Sequence, residues 1–138
     1  MKHITSTPTA KAPAERFTGD VYLNMIEAPT PPARLASALV RFTPGARTNW
    51  HSHANGQTLY VTDGVGLVGT RHGNVVRVSA GHTLKCPAGE EHWHGATDTT
   101  LMAHIAMVVG DADGDGTTWL EPVTDEQYTD ALDSTNGT

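Results

Sequence analysis

The run Gly45-Ala46-Arg47-Thr48-Asn49-Trp50-His51-Ser52-His53-Ala54-Asn55-Gly56-Gln57, continuing through Thr58-Leu59-Tyr60-Val61-Thr62-Asp63 to Gly64, carries the densest chemical information in the chain. His51 and His53 stand two apart in a strand-like stretch, so both side chains leave the same face, and Gln57 returns with the same parity after a short interruption. Three ligand-type side chains therefore converge. Further on, His92 and His94 repeat the spacing, and His104 lies within the apolar run from Leu101 to Val109. A lone inward histidine is usually a hydrogen-bonded core residue. Three or four imidazoles aimed into one apolar interior would leave ring nitrogens unsatisfied or charges buried, and a shared metal ion is the less costly arrangement.

Outward from this run, strand-length apolar segments recur with turn residues between them. They are Val21 to Ile26, Leu35 to Phe42, Thr58 to Val61, Val65 to Val68, Val75 to Val78, Thr83 to Cys86 and Leu101 to Val109. Pro44-Gly45, Asp63-Gly64, His72-Gly73-Asn74, Ala80-Gly81 and Pro87-Ala88-Gly89 punctuate them. Many short, evenly spaced strands predict an all-β sandwich or barrel, with the 14 glycines supplying corners. One short helix is expected over about 124–132, because Thr124 followed three residues later by Gln127 forms a capping-box signature. Residues 1–14, unpatterned and rich in Thr, Ala, Pro and Lys, read as a flexible arm, residues 15–132 as one domain, and 133–138 as a disordered tail.

Composition excludes several classes of function. The 138 residues suffice for a single core, and nine basic against fifteen acidic side chains give a net charge of -6 with neither sign gathered in a run. Nucleic acid and membrane surfaces are not expected partners; a small molecule is. No apolar run follows Met1-Lys2-His3-Ile4-Thr5, and the single cysteine, Cys86, excludes an intramolecular disulfide. A cytoplasmic setting is expected. Cys86 reads as a small buried hydrophobe, and His3, His72 and His82 as surface residues.

The long run quoted first resembles the first cupin motif, G-x5-HxH-x3-E-x6-G, with every spacing kept and Gln57 in place of Glu. The stretch Gly81-His82-Thr83-Leu84-Lys85-Cys86-Pro87-Ala88-Gly89-Glu90-Glu91-His92 resembles the second, G-x5-PxG-x2-H. The resemblance implies a double-stranded β-helix, the cupin jelly-roll barrel, holding one divalent metal through His51, His53, Gln57 and His92. A homodimer or higher homo-oligomer is expected as common in small cupins. Replacing a carboxylate by a neutral amide leaves the site at the charge of the ion, which favours Lewis-acid chemistry over stabilisation of high-valent iron.

Pro44-Gly45-Ala46-Arg47-Thr48, Trp50-His51-x-His53, Gly56-Gln57-Thr58-Leu59, Gly89-Glu90-x-His92-Trp93-His94-Gly95-Ala96 and Val123-Thr124-Asp125-Glu126-Gln127-Tyr128 are similar to bacterial cupin hydroxynitrile lyases. That resemblance implies Mn(II), with Fe(II), Ni(II) and Zn(II) as alternatives, and cleavage or formation of aromatic cyanohydrins such as mandelonitrile. It further implies His94 or His104 as proton acceptor and a substrate contact from Thr48. The competing readings are a dioxygenase or isomerase acting on a small oxygenated substrate, and a non-catalytic binding cupin. By strand parity Trp50 and Trp93 point away from the ligands, and Arg47 points either inward to an anion or into a salt bridge at the rim.

Overall fold

A computed structural model describes residues 1–136 as twelve strands and one helix. In chain order the strands are β1 (Thr9–Lys11), β2 (Phe17–Thr18), β3 (Val21–Glu27), β4 (Leu35–Phe42), β5 (Arg47–Thr48) and β6 (His51–His53). There follow β7 (Gln57–Thr70), β8 (Val75–Ser79), β9 (Thr83–Cys86), β10 (His92–Ala96), β11 (Met102–Val109) and β12 (Thr117–Trp119), then helix α1 (Asp125–Thr135). All pairings are antiparallel. They make two facing sheets, the double-stranded β-helix that the motifs implied.

One sheet runs β1-β3-β4-β11-β7-β9, and the other gathers β2, β5, β6, β10, β12, β8 and the second half of β7. Strand β7 belongs to both. Its first half pairs with β11 and β9, and from Val65 onward it pairs with β8 and β10. Asp63-Gly64, expected to be a turn, is instead the corner at which this one strand changes sheets. Gly64 has φ 73°, which a side chain would disfavour, and a Cβ there would strike the Leu101 carbonyl.

Val21, Val40, Phe42, Leu59, Val61, Val68 and Met102 fill the space between the sheets, each contributing about 1.5–3 kcal/mol by leaving water. The filling is incomplete toward one end, where Ala36, Ala38 and Ala106 are too small to close the interior and a cavity of ≈ 330 Å³ remains. Small residues there position the site.

Two terminal expectations need correction. Thr9–Lys11, placed in the flexible arm, forms β1 and pairs with Asn24, Leu23 and Tyr22 of β3. A three-residue strand with no alternation has no signature of its own; the edge of β3 supplies it. The helix begins as expected, with Thr124 and Gln127 making both capping-box bonds, but extends to Thr135 and takes in Asp133–Thr135 of the expected tail. Asn136 caps it, and the last two residues of that tail lie outside the described residues.

Candidate metal centre

Short strands β6 and β10 lie side by side with His51 opposite His92, and Gln57 opens β7 beside them. Each histidine is anchored through Nδ1. His51 Nδ1 lies 2.9 Å from the Asn49 carbonyl, His92 Nδ1 3.0 Å from the Glu90 carbonyl, and His53 Nδ1 3.0 Å from the Thr117 hydroxyl. A carbonyl only accepts, so His51 and His92 carry their proton on Nδ1 and turn a bare Nε2 inward. The ligand-type nitrogens of His51, His53 and His92 all lie within 4.8 Å of one another.

These residues fit a cation. His53 Nε2 is buried with no hydrogen-bond partner among the described residues, and His92 Nε2 stands 3.2 Å from Gln57 Oε1. With the amide oxygen turned inward, two acceptors face each other with no proton between them, an arrangement that a positive ion relieves. Burial pushes the pKa of His51 well below the ordinary value, aided by His92; it lowers His53 to about 4 and His92 more modestly. Neutral imidazoles are the ligating form.

Beside this cluster lies a second pair. His94 comes from β10 and His104 from β11, and His94 Nδ1 is 2.9 Å from His104 Nε2. Both rings are buried, and Phe42 packs against them at 5.9 and 5.3 Å. Burial is the main cause of the lowered pKa of each, with His104 adding to it at His94, and His104 falls to about 4. His94 Nε2 and His104 Nδ1 have no hydrogen-bond partner among the described residues. Thr48, also on the cavity wall, accepts the His94 backbone N–H through its hydroxyl at 3.2 Å. All seven residues singled out from the sequence thus line or adjoin one space.

The other face of the same strands is structural. Trp50 and Trp93 pack with Leu67, Val123, Tyr128 and Ala131 beneath α1, as parity predicts. Arg47 takes the salt-bridge alternative: Nη2 donates to Asp125 at 2.8 Å and to the Val123 carbonyl at 2.9 Å, while the guanidinium lies 4.5 Å from the Tyr128 ring. Cys86 is buried, and its thiol pKa rises to about 12.

Sequence reasoning missed part of the cavity wall. Trp119 stacks on His51 with ring centroids 4.7 Å apart, Phe17 packs on Trp119 at 5.7 Å, and Arg16 lies 5.3 Å over the same indole. Strands of two and three residues carry no period to detect, and the Asp/Gly-rich loop before β12 suggests only irregular chain. The isolated aromatics were the available signal.

Comparison with known proteins agrees with this architecture. The protein-family model described as the cupin domain matches residues 38–109. The chain is a cupin. This cupin is 44% identical over 128 residues to an (R)-mandelonitrile lyase of Granulicella tundricola, an alignment covering 93% of the chain and 97% of that relative. A cupin-like protein from Thermotoga maritima superposes with TM-score 0.84 at 33% identity, covering 99% of this chain and 100% of its own. A polyketide cyclase from Streptomyces resistomycificus, at 17% identity and TM-score 0.70 over 93% of this chain and 90% of its own, shares the fold. None of the described helices is long and apolar enough to cross a membrane.

Proposed function

We propose that this cupin is a metal-dependent lyase that cleaves or forms aromatic cyanohydrins, interconverting mandelonitrile with benzaldehyde and hydrogen cyanide. The observation that carries the reading is the unpartnered His94 Nε2, backed by His104 and placed on the cavity wall beside the three-histidine cluster. The likeness to a mandelonitrile lyase supplies the substrate class. His51, His53, Gln57 and His92 would hold the ion, Mn(II) first among the alternatives, and a divalent ion in such a set supplies Lewis acidity toward a substrate oxygen.

The protein's own part is proton management. Two neutral imidazoles sharing one hydrogen bond have one proton between their facing nitrogens. When that proton sits on His94 Nδ1, His94 Nε2 is bare and can accept the cyanohydrin hydroxyl proton, while the developing positive charge spreads to His104 across 2.9 Å. The carbon–carbon electron pair leaves with cyanide as the carbonyl forms, and the same nitrogen returns the proton to cyanide. Thr48 keeps its hydroxyl hydrogen free for the cavity, since its oxygen accepts from the His94 backbone.

The test is elemental analysis of the purified protein followed by parallel mandelonitrile-cleavage and oxygen-uptake assays. About one equivalent of divalent metal with benzaldehyde release is expected. Oxygen consumption with a small oxygenated substrate, and no benzaldehyde release, would move the protein to the dioxygenase class. Ligand binding without turnover would make it a binding cupin.

A further inference from the structure

The cavity has two unlike walls. On one side the strands of the first sheet present small aliphatic side chains, among them Ala38 and Ala106; on the other stand Phe17 and Trp119. These two aromatics come from β2 and β12, short strands that lie outside the 38–109 segment matched as the cupin domain. The flanks of the chain, rather than the matched segment, thus furnish Phe17 and Trp119 to the cavity.

Their placement is enforced. Asn49, buried between β5 and β6, donates through Nδ2 to the Glu15 carbonyl at 2.8 Å and to the Leu120 carbonyl at 3.1 Å. Its backbone N–H donates to the Arg16 carbonyl at 2.8 Å, and its own carbonyl accepts from His51 Nδ1 at 2.9 Å. One residue therefore ties the segment carrying Phe17, the segment carrying Trp119 and a candidate ligand to the same point. An amide with both donors satisfied by carbonyls from different segments holds them in register at low entropic cost.

From this juxtaposition we infer that Phe17 and Trp119 are specificity-determining residues that select substrates bearing a planar aryl ring beside the reacting carbon, with Asn49 as their positioning residue. The inference deepens the lyase reading and rests on it for the reacting carbon. A flat ring entering the cavity meets aromatic edges and faces on one side and methyl groups on the other. Aromatic pairs favour such contacts at centroid separations of about 4.5–7 Å beyond simple area burial. A saturated ring of the same size is thicker and gains only the area term.

The experiment measures binding, so it does not depend on turnover. The metal-loaded protein is titrated by calorimetry with benzyl alcohol and with cyclohexylmethanol, which have the same number of heavy atoms but differ in planarity. Wild type should prefer the aryl alcohol. Phe17→Leu and Trp119→Leu should each cut that preference about two- to tenfold, the range of an aromatic pair, with metal content unchanged. Asn49→Ser, checked for folding by circular dichroism, should also reduce it. No aryl preference in wild type, or a preference untouched in folded, metal-replete Phe17→Leu and Trp119→Leu, would overturn the inference. An intact aryl preference in a protein that fails to cleave mandelonitrile would uphold this wall and defeat the lyase reading, so the two fail separately.

Discussion

Strands β5, β6 and β10 present two faces built from alternate residues of the same short segments, and the faces differ in how their polar atoms are treated. Outside, beneath α1, Trp50 Nε1 donates to Gln127, the Tyr128 hydroxyl donates to the Ala96 carbonyl at 2.6 Å, and Arg47 is matched by Val123 and Asp125. Inside, His53 Nε2, His94 Nε2 and His104 Nδ1 are buried with no partner among the described residues. Leaving such a group unpaired costs about 1–3 kcal/mol each. On the outer side Thr70 Oγ1, beside Trp50 and Trp93, is the one buried atom left without a partner among the described residues, whereas three imidazole nitrogens of cavity-lining histidines are open on the inner side and available to something that arrives from outside. The difference separates residues that hold the fold from residues that do chemistry.

The sharpest way to break this contrast is on the inner face. His51→Ala or His53→Ala should reduce bound metal from about one equivalent to near zero and abolish turnover, yet leave the circular dichroism spectrum unchanged, because the apolar interior supplies the core. Full metal occupancy in either variant would remove these residues from the ligand set. His94→Ala should keep the metal and lose about two to four decades of kcat. A metal-depleted His94→Ala protein would make His94 a ligand instead.

The buried imidazoles also set an acid limit. His104 has a folded-state pKa of about 4, against about 6.5 in an unfolded chain. Between those values the unfolded chain binds a proton that the folded one refuses, so stability falls as pH drops through that window and levels off below it. For the metal-free protein, denaturant midpoints should decline with a slope of up to about 1.4 kcal/mol per pH unit from this residue. His104→Asn should flatten the slope; an unchanged slope would assign the acid sensitivity elsewhere.

The outer face should give the smallest and purely structural effect. Tyr128→Phe strands the Ala96 carbonyl and should cost about 1–3 kcal/mol in thermal or denaturant unfolding, with metal content and kcat unchanged. A loss of turnover without loss of stability would mean that the two faces communicate.

The all-β class and the inward histidines of β6 and β10 were legible from local periodicity, while the double-stranded β-helix and the four-residue ligand set came with the resemblance of the two motifs to cupins. What escaped was long-range. Phe17 and Trp119 become cavity residues only because β2 pairs with β5 and β12 pairs with β6, and no local pattern announces a pairing of two or three residues. Asp63-Gly64 carried a turn signal yet forms a corner within a strand, since the neighbours that keep β7 extended come from β11 and β8. Parity left Arg47 between an inward position and a salt bridge at the rim, and its partner, 78 positions away in the sequence, was settled by the docking of α1.

Strand β7 is common to the two sheets. Because one run of fourteen residues is bonded into one sheet by its first half and into the other by its second, the two sheets are joined through a continuous strand. Amide protons in the middle of this strand should be released only by global unfolding, exchanging together and more slowly than those of β1, β2 or β12. A chain in which one strand is common property of two layers has a single cooperative unit, and it gives Gln57 at that strand's start the rigidity of the whole barrel.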